Sequence, residues 1–535
     1  MNLRFLSLAT IALVCSACQQ ANTIKSSIKQ PQSTLAIMSI NDVYRIAGID
    51  EGRTGGLARV RALRTQLMDQ YDHVLFLHAG DFLHPSFISK QDNGTAMIQT
   101  LNMMDGLADV FDEQMVVTWG NHEFDKGGMK HVPLMNQLLD QSEFVWLGSN
   151  INWKPGSLSS ARMRNQLLLQ FGDIKVGIFS HTTGMAHPEY IDSFGDYPAT
   201  ARQFVPQLRS QGADLVIGLT HQWLQDDLAM MKLPDEHRPD MIFGGHEHYV
   251  QTEQVDGHWV LKADADAASA IVAEVVFSEA GFSVTPAVVE LGAAFPEDPP
   301  TAQLIQQLVR QTDRSYCQQR QLPDDCLYQT LGMTQTQLIA EETEIRRFET
   351  NLGNVLADLV MTTFASCQAD VVLLNSGSIR LNQNIPAGAS ITVKHLEEMF
   401  PYPSDLRLIE FDSGLFQSIL NHSISSWTAN GHWLQIAGFA YIHNPVEQTA
   451  SHVHLKKHDS TTLPDTIRAV VPYYLIAEGG DQDGYTMLNE SMQQACSSNG
   501  TELKQLMSDY LPLLPNGLNA RRDFRICNTS RDDCM

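Results

Sequence analysis

Five apolar runs in the first half of the chain each end on a residue able to bind a cation or carry a proton, and no other feature restricts the fold as much. Leu35-Ala-Ile-Met-Ser-Ile40 leads to Asn41-Asp42, His73-Val-Leu-Phe-Leu-His78 to Gly80-Asp81, and Met115-Val-Val-Thr-Trp119 to Gly120-Asn121-His122-Glu123. Ala213-Asp-Leu-Val-Ile-Gly-Leu-Thr220 runs into His221, and Pro239-Asp-Met-Ile-Phe243 into Gly244-Gly245-His246-Glu247-His248. Short β-rich runs alternating with helical stretches are the pattern of an α/β domain, here over residues 34–295. Loops after the C-terminal ends of strands build the sites of open α/β sheets, so the polar residues closing these runs can converge.

The rest of the 535 residues exceeds what one folding unit holds. Pro296, Pro299 and Pro300, followed by a Gln-rich helical stretch at 302–320, mark a connector over residues 296–343. A second α/β segment, residues 344–535, predicts a helix at 351–365, a strand at 370–374 and further apolar runs at 406–411 and 469–476. The tail beyond Arg521 is charged and is expected to be held only by its cysteines.

Asp plus Glu number 61 against 36 Lys plus Arg, a formal charge of -25. That surface repels a phosphate backbone and excludes a long nucleic-acid groove. A small phosphorylated ligand is compatible with it, because a few cations in one cleft outweigh a diffuse field screened within about 10 Å. The first residues, 1–17, carry one positive charge, a short apolar run and small residues, the layout of a signal peptide. Ser16-Ala17-Cys18 resembles a bacterial lipoprotein cleavage box, with Cys15 where that box usually has Leu. Lipidation of Cys18 is expected, with ordinary secretion as the alternative, and residues 18–33 would form a polar tether. No later stretch is apolar enough to span a membrane. Export leaves Cys317, Cys326, Cys367, Cys496, Cys527 and Cys534 in an oxidising compartment. Cys317 with Cys326 and Cys527 with Cys534 are the local candidates, leaving Cys367 and Cys496 as a third pair or as free buried thiols.

Asp42, Asp81, Asn121, His221, His246 and His248 supply the oxygen and nitrogen donors that borderline divalent ions accept. One carboxylate bridging two such ions gives a paired-metal site that cleaves phosphate esters. Gly80, Gly120, Gly244 and Gly245 beside them permit tight turns and close backbone approach.

Asn41-Asp42, Gly80-Asp81, Gly120-Asn-His-Glu-Phe-Asp125, His221 and Gly245-His-Glu-His248, in that order, resemble the calcineurin-like metallophosphoesterases and among them the two-domain 5'-nucleotidases. The resemblance implies an N-terminal four-layer domain, two β-sheets flanked by helices, and a C-terminal α/β specificity domain. It implies one divalent ion held by Asp42, Asp81 and His248 and a second by Asp81, Asn121, His221 and His246, the ions being Zn, Mn, Co or Mg. A hydroxide bridging the two would attack phosphorus in line, while His122 stabilises the transition state or protonates the leaving oxygen and Asp125 orients it. One position departs from the family: Asp42-Val43-Tyr44 stands where Asp-x-His is usual. A phenol is a poor ligand unless deprotonated. The first ion could be weaker or helped by His78, His84 or His181, Tyr44 could bind as phenolate, or its ring could pack against the site while water completes the shell.

In the second half, Arg346-Arg347-Phe348-Glu349-Thr350-Asn351-Leu352-Gly353-Asn354 and Asn375-Ser-Gly-Ser-Ile-Arg380 are similar to the family's substrate motifs. By that resemblance Arg346 and Arg380, with Asn375, bind phosphate or ribose oxygens, a task suited to the guanidinium fork. Tyr402, in Phe400-Pro-Tyr-Pro-Ser404, would stack on the base. Asp481 in Gly479-Gly-Asp-Gln-Asp-Gly-Tyr485 would accept from ribose hydroxyls, and the second stacking position falls on Leu475 with Tyr474 adjacent. The resemblance thus implies a periplasmic enzyme removing the 5'-phosphate of nucleotides, touching the membrane only through Cys18. Hydrolysis of nucleotide sugars or 2',3'-cyclic nucleotides is the near alternative. A nucleotide-binding surface lipoprotein, catalytically decayed at Tyr44, is the distant one; retention of His122 and Asp125 argues against it.

Overall fold

A computed structural model describes residues 33–279, 281–403, 405–427, 430–457, 463–478 and 482–534. The expected signal peptide, Cys15, Cys18, the tether before Ser33, Ser404, Gly479, Gly480 and Asp481 lie outside these residues.

The first half holds two sheets. The seven-stranded one runs Gly281–Glu290, Ser269–Ser278, Ser33–Ile40, Val74–His78, Asp112–Thr118, Phe144–Leu147, Met163–Arg164. The six-stranded one runs Gln251–Val255, His258–Lys262, Met241–Gly245, Leu215–His221, Ile174–Thr182, Leu167–Phe171. Alternate side chains of a strand face opposite ways. Leu35, Ile37, Leu75, Leu77 and Val116 therefore meet Ile178, Ile217, Leu219 and Phe243 between the sheets. Ala36, Met38, Phe76 and Val117 turn outward onto Val60, Leu63 and Leu139 of the helices Leu57–Gln70 and Val132–Gln141. Phe179, Val216 and Ile242 lie under Phe204 and Leu208 of Tyr197–Ser210. Four layers result, helix, sheet, sheet, helix, and strands buried on both faces read as unbroken apolar text. The central strands are parallel, with Ile40 level with His78 and His221 level with Gly245, so the loops carrying the polar residues leave the sheets side by side.

The connector is a helix, Pro299–Gln319, whose first turn accepts Pro299 and Pro300 because its N-terminal N–H groups need no helical partner. Asp298 caps it by accepting from the Thr301 N–H, and Ile305, Leu308 and Val309 seat it on the first-half core.

The second half centres on a sheet ordered Leu406–Asp412, Thr466–Pro472, Val371–Asn375, Leu434–Ala437. The helix Asn351–Thr363 covers one face and Ser413–Ile424 the other. The run at 469–476 divides: the strand stops at Pro472 and a turn, Tyr473–Leu475, follows. The tail is held by more than its cysteines. Ile526–Asn528 pairs in parallel with Phe439–Asn444, and buried Arg525 is forked onto Asp358 and Asp523. Disulfides join Cys317 to Cys326, Cys367 to Cys496 and Cys527 to Cys534. Among the described residues no helix is long and apolar enough to cross a membrane.

Candidate metal centre and substrate cleft

Asp42 and Asp81 follow their strands with φ of 52° and 58°, and His246 has φ of 86°, left-handed backbone that residues with a Cβ adopt at a cost. The strain turns the side chains inward, where donor atoms of Asp42, Asp81 and His221 all lie within 4.8 Å of one another, fully buried. Two glycines make room. A Cβ on Gly120 would come 2.1 Å from Asp81 Oδ1, and one on Gly245 2.6 Å from the Ala79 carbonyl oxygen.

Neighbouring groups orient the donors. His221 Nδ1 is 2.7 Å from the Ala79 carbonyl, leaving Nε2 3.1 Å from Asp81 Oδ2. His248 Nδ1 is 2.6 Å from Glu342 Oε2, with Nε2 3.3 Å from Asp42 Oδ1. His246 Nδ1 lies 3.1 Å from Asn121 Oδ1. The His246 N–H donates to Asp42 Oδ2 (2.9 Å) and the His122 N–H to Asp81 Oδ1 (2.8 Å). Glu123, part of the Gly120-Asn-His-Glu run but given no role in the sequence reading, is buried and accepts from the N–H groups of Asp81, Phe82, Leu83 and Gly120, fastening the loops of Asp81 and Asn121 together. Lys262, equally unremarked and fully buried, donates to the carbonyls of Gln222 and Gly245 and pairs with Asp227 and Glu247, bracing the loops of His221 and His246.

The residues fit divalent ions. His246 Nε2 is buried with no hydrogen-bond partner, an expensive arrangement unless a cation takes the lone pair. The charges agree. Burial opposes protonation of His221, yet the Asp81 and Asp42 carboxylates overcome it and push its pKa up to about 10. For His248, burial likewise loses to Glu342 and Asp42, and the pKa rises to about 9. Burial raises Asp81, but His221 and His122 hold it well below the usual carboxylate range. An anionic pocket that draws protons onto its imidazoles is one that cations would neutralise.

Tyr44 reaches the cluster through its hydroxyl. Its hydroxyl lies 3.4 Å from Asp42 Oδ1, 3.2 Å from Asp81 Oδ2 and 3.2 Å from His248 Nε2, inside the proposed ligand set. By the same 4.8 Å measure neither His78, His84 and His181 nor His246 and His248 join the Asp42, Asp81 and His221 group.

Beside this centre a cleft of about 610 Å³ opens between the halves, lined by Asn121, His122 and Asp125 from one side and Asn375, Arg380, Tyr402 and Asp483 from the other. His122 Nδ1 is 2.9 Å from Asp125 Oδ1, and Arg380 Nη2 is 3.5 Å from His122 Nε2. Burial lowers His122, but Asp125 and Asp81 outweigh it and the pKa is raised. Arg380 Nη1 and Arg346 Nε are buried without hydrogen-bond partners, as expected of donors awaiting an anion. Arg346 also pairs with Glu342. Tyr402, expected under a base, lines the cleft, and its hydroxyl donates to Asp125 Oδ2 (3.0 Å) and lies 3.3 Å from His122 Nδ1. Leu475 is buried in the core and cannot stack, whereas Tyr474 lines the cleft. Asp481 lies outside the described residues; Asp483 faces the cleft and accepts from Asn375 Nδ2 at 2.6 Å. The Asp483-Gly484-Tyr485 ending was the signal for it, competing with the Gly-Gly-Asp reading two residues earlier.

A calcineurin-like phosphoesterase model matches residues 35–250, and a model of the 5'-nucleotidase C-terminal domain matches residues 331–490. The chain belongs to the two-domain 5'-nucleotidase family. Membership makes it a hydrolase acting on phosphate esters. It is 23% identical over 550 residues to the trifunctional nucleotide phosphoesterase YfkN of Bacillus subtilis, matching 92% of this chain but spanning only 35% of that longer protein. It is 23% identical over 523 residues to the snake venom 5'-nucleotidase of Gloydius brevicauda, covering 87% of this chain and 84% of the relative. Its fold is that of a 5'-nucleotidase precursor from Thermus thermophilus, with a TM-score of 0.75 at 22% identity over 92% of this chain and 99% of the other.

Proposed function

We propose that this chain removes the 5'-phosphate from nucleotides outside the cytoplasm. The observation that carries the reading is the cleft itself, where His122 and Asp125 beside the buried carboxylate and imidazole cluster face Arg380, Asn375 and Asp483 of the second half. In this reading Asp42, Asp81 and His248 hold one divalent ion and Asp81, Asn121, His221 and His246 the other. Such ions, when bound, supply Lewis acidity to the phosphoryl oxygens and a nucleophile at neutral pH. The chain does the rest. Arg380 and Arg346 bring guanidinium donors to the phosphate in an otherwise acidic protein. His122, held protonated by Asp125, gives its proton to the leaving ribose oxygen, and Tyr402 fixes the Asp125 carboxylate that orients it. Asp483, steadied by Asn375, accepts from ribose hydroxyls. Three disulfides support an oxidising location, and anchorage through a lipidated Cys18 belongs to the same reading.

The purified full chain, supplied in turn with Mn, Co, Zn and Mg ions, is expected to release phosphate from AMP faster than to cleave a nucleotide sugar or a 2',3'-cyclic nucleotide. No release from any of the three with any ion would sink the reading, and preference for a diester would redirect it. Mass spectrometry of cell-derived protein tests the anchor through the mass of the N-terminal peptide.

A further inference from the structure

The two proposed ion sites are supported from different places. The donors Asp81, Asn121, His221 and His246 contact one another and first-half groups: the Ala79 carbonyl, the His122 N–H and the Glu123 carboxylate. The Asp42 and His248 side leans on the second half, whose 5'-nucleotidase C-terminal match begins at residue 331 and so takes in Glu342, ahead of the boundary at 344 expected from the sequence. His248 Nδ1 meets Glu342 at 2.6 Å across 94 residues of sequence, and both side chains are nearly buried. The other oxygen of Glu342 pairs with the Arg346 guanidinium. The Glu342 N–H donates to Asn382 Oδ1 at 3.2 Å, while Asn382 Nδ2 donates to Asp266 Oδ2 at 3.0 Å. Asp266 is a buried first-half carboxylate that also accepts from the N–H groups of Tyr44 and Arg45, and its own N–H donates to the Asp42 carbonyl. The loop of Asp42 and the ring of His248 are thus both fastened across the domain boundary, through Asn382 and Glu342.

Resting on the reading of Asp42 and His248 as ligands, we propose that Glu342 is a positioning residue that makes one ion site, and only one, depend on the second domain being docked. A carboxylate on Nδ1 fixes the tautomer and direction of an imidazole and makes Nε2 a better donor. Here that carboxylate belongs to the other domain, so undocking releases His248 and weakens the Asp42 side, while Asp81, Asn121, His221 and His246 keep their supports. Linkage requires the reverse as well: an ion at the Asp42 and His248 side stabilises the docked arrangement by the same free energy. Because Glu342 also holds Arg346, the ion and the phosphate-binding guanidinium are placed by one side chain.

The test uses the full chain, Mn ions as the probe and no substrate. Titration calorimetry is expected to show two binding events in the unaltered protein. Glu342→Gln should weaken one by about 10- to 100-fold and leave the other within about twofold. Hydrogen exchange across residues 338–350 gives an independent readout: Mn should protect this segment in the unaltered chain and not in Glu342→Gln. Asn382→Ala, which touches neither His248 nor the ions, should weaken the same event. Equal affinities in Glu342→Gln, or weakening there without any in Asn382→Ala, would overturn the dependence on docking. Two normal events in a chain that hydrolyses no nucleotide would refute the proposed substrate and leave this inference standing; a chain that binds no Mn refutes both.

Discussion

At the scale of single residues, Tyr44 and His122 carry the sharpest expectations. The Tyr44 hydroxyl sits among Asp42, Asp81 and His248, so an imidazole there would add a nitrogen donor to the same ion. Tyr44→His is expected to tighten Zn binding by about tenfold or more in a chelator competition; unchanged affinity would mean that position 44 does not face the ion. His122→Ala should lower kcat by a factor of about 10² to 10⁴ with a smaller change in KM. Full turnover in that variant removes the proton-donor role. Away from the site, His443 is fully buried and burial pushes its pKa down to about 4. A folded-state value below the ordinary 6.5 means that the unfolded chain binds the proton first. The stability from neutral His443 is therefore whole above pH about 6.5 and drains away as pH falls toward about 4. Urea midpoints across that window should fall less steeply in His443→Gln than in the unaltered protein. Parallel slopes would contradict the assignment.

At the scale of elements, the strands were legible and their loops only partly so. Runs such as Leu35 to Ile40 are apolar throughout because both faces are covered, so composition alone marks them. The residue closing each run was legible for the same reason: a polar side chain interrupting such text has few places to go but the strand end. What the loops do depends on clearances that text does not print. Gly120 is the clearest case, since its missing Cβ leaves the space that Asp81 Oδ1 occupies. Gly120→Ala is expected to displace that carboxylate and weaken metal binding while the far-ultraviolet circular dichroism stays unchanged; unaltered affinity would show that the loop yields. The connector helix was legible to within a turn: expected at 302–320, it spans Pro299–Gln319, with Pro299 and Pro300 opening it behind the Asp298 cap. Asp298→Ala should cost about 1 kcal/mol in a denaturant melt, and no change would mean that the cap contributes nothing.

At the scale of the whole molecule, the cleft exists only because the halves meet. The disulfide Cys367–Cys496 closes a loop of sequence separation 129 inside the second half. Longer loops give larger chain-entropy effects, so Cys367→Ser with Cys496→Ser should lower stability by about 4 kcal/mol, read from the urea midpoint of full-length protein. A shift near zero would mean that the unfolded chain is compact there without the link. The acidic balance of 61 carboxylates against 36 cationic side chains also reads differently at this scale. Asp42 and Asp81 concentrate it where ions are proposed to sit, and Arg380 brings the opposite sign to the facing wall.

The amino-acid text marked the strands that close on polar residues, the candidate donors and the family, since each is written in residues close together in sequence: an apolar run, a turn and a polar residue. Tertiary structure alone decided which neighbours hold those donors. Glu342, Asp266, Glu123 and Lys262 look like ordinary charged residues until folding removes them from water. Burial then forces each to find a partner, and that partner lies as far off as the 94 residues from His248 to Glu342 or the 221 from Arg45 to Asp266. Asp483 belongs with them, since the Asn375 side chain that steadies it lies 108 positions away, while Asp481 lies outside the described residues.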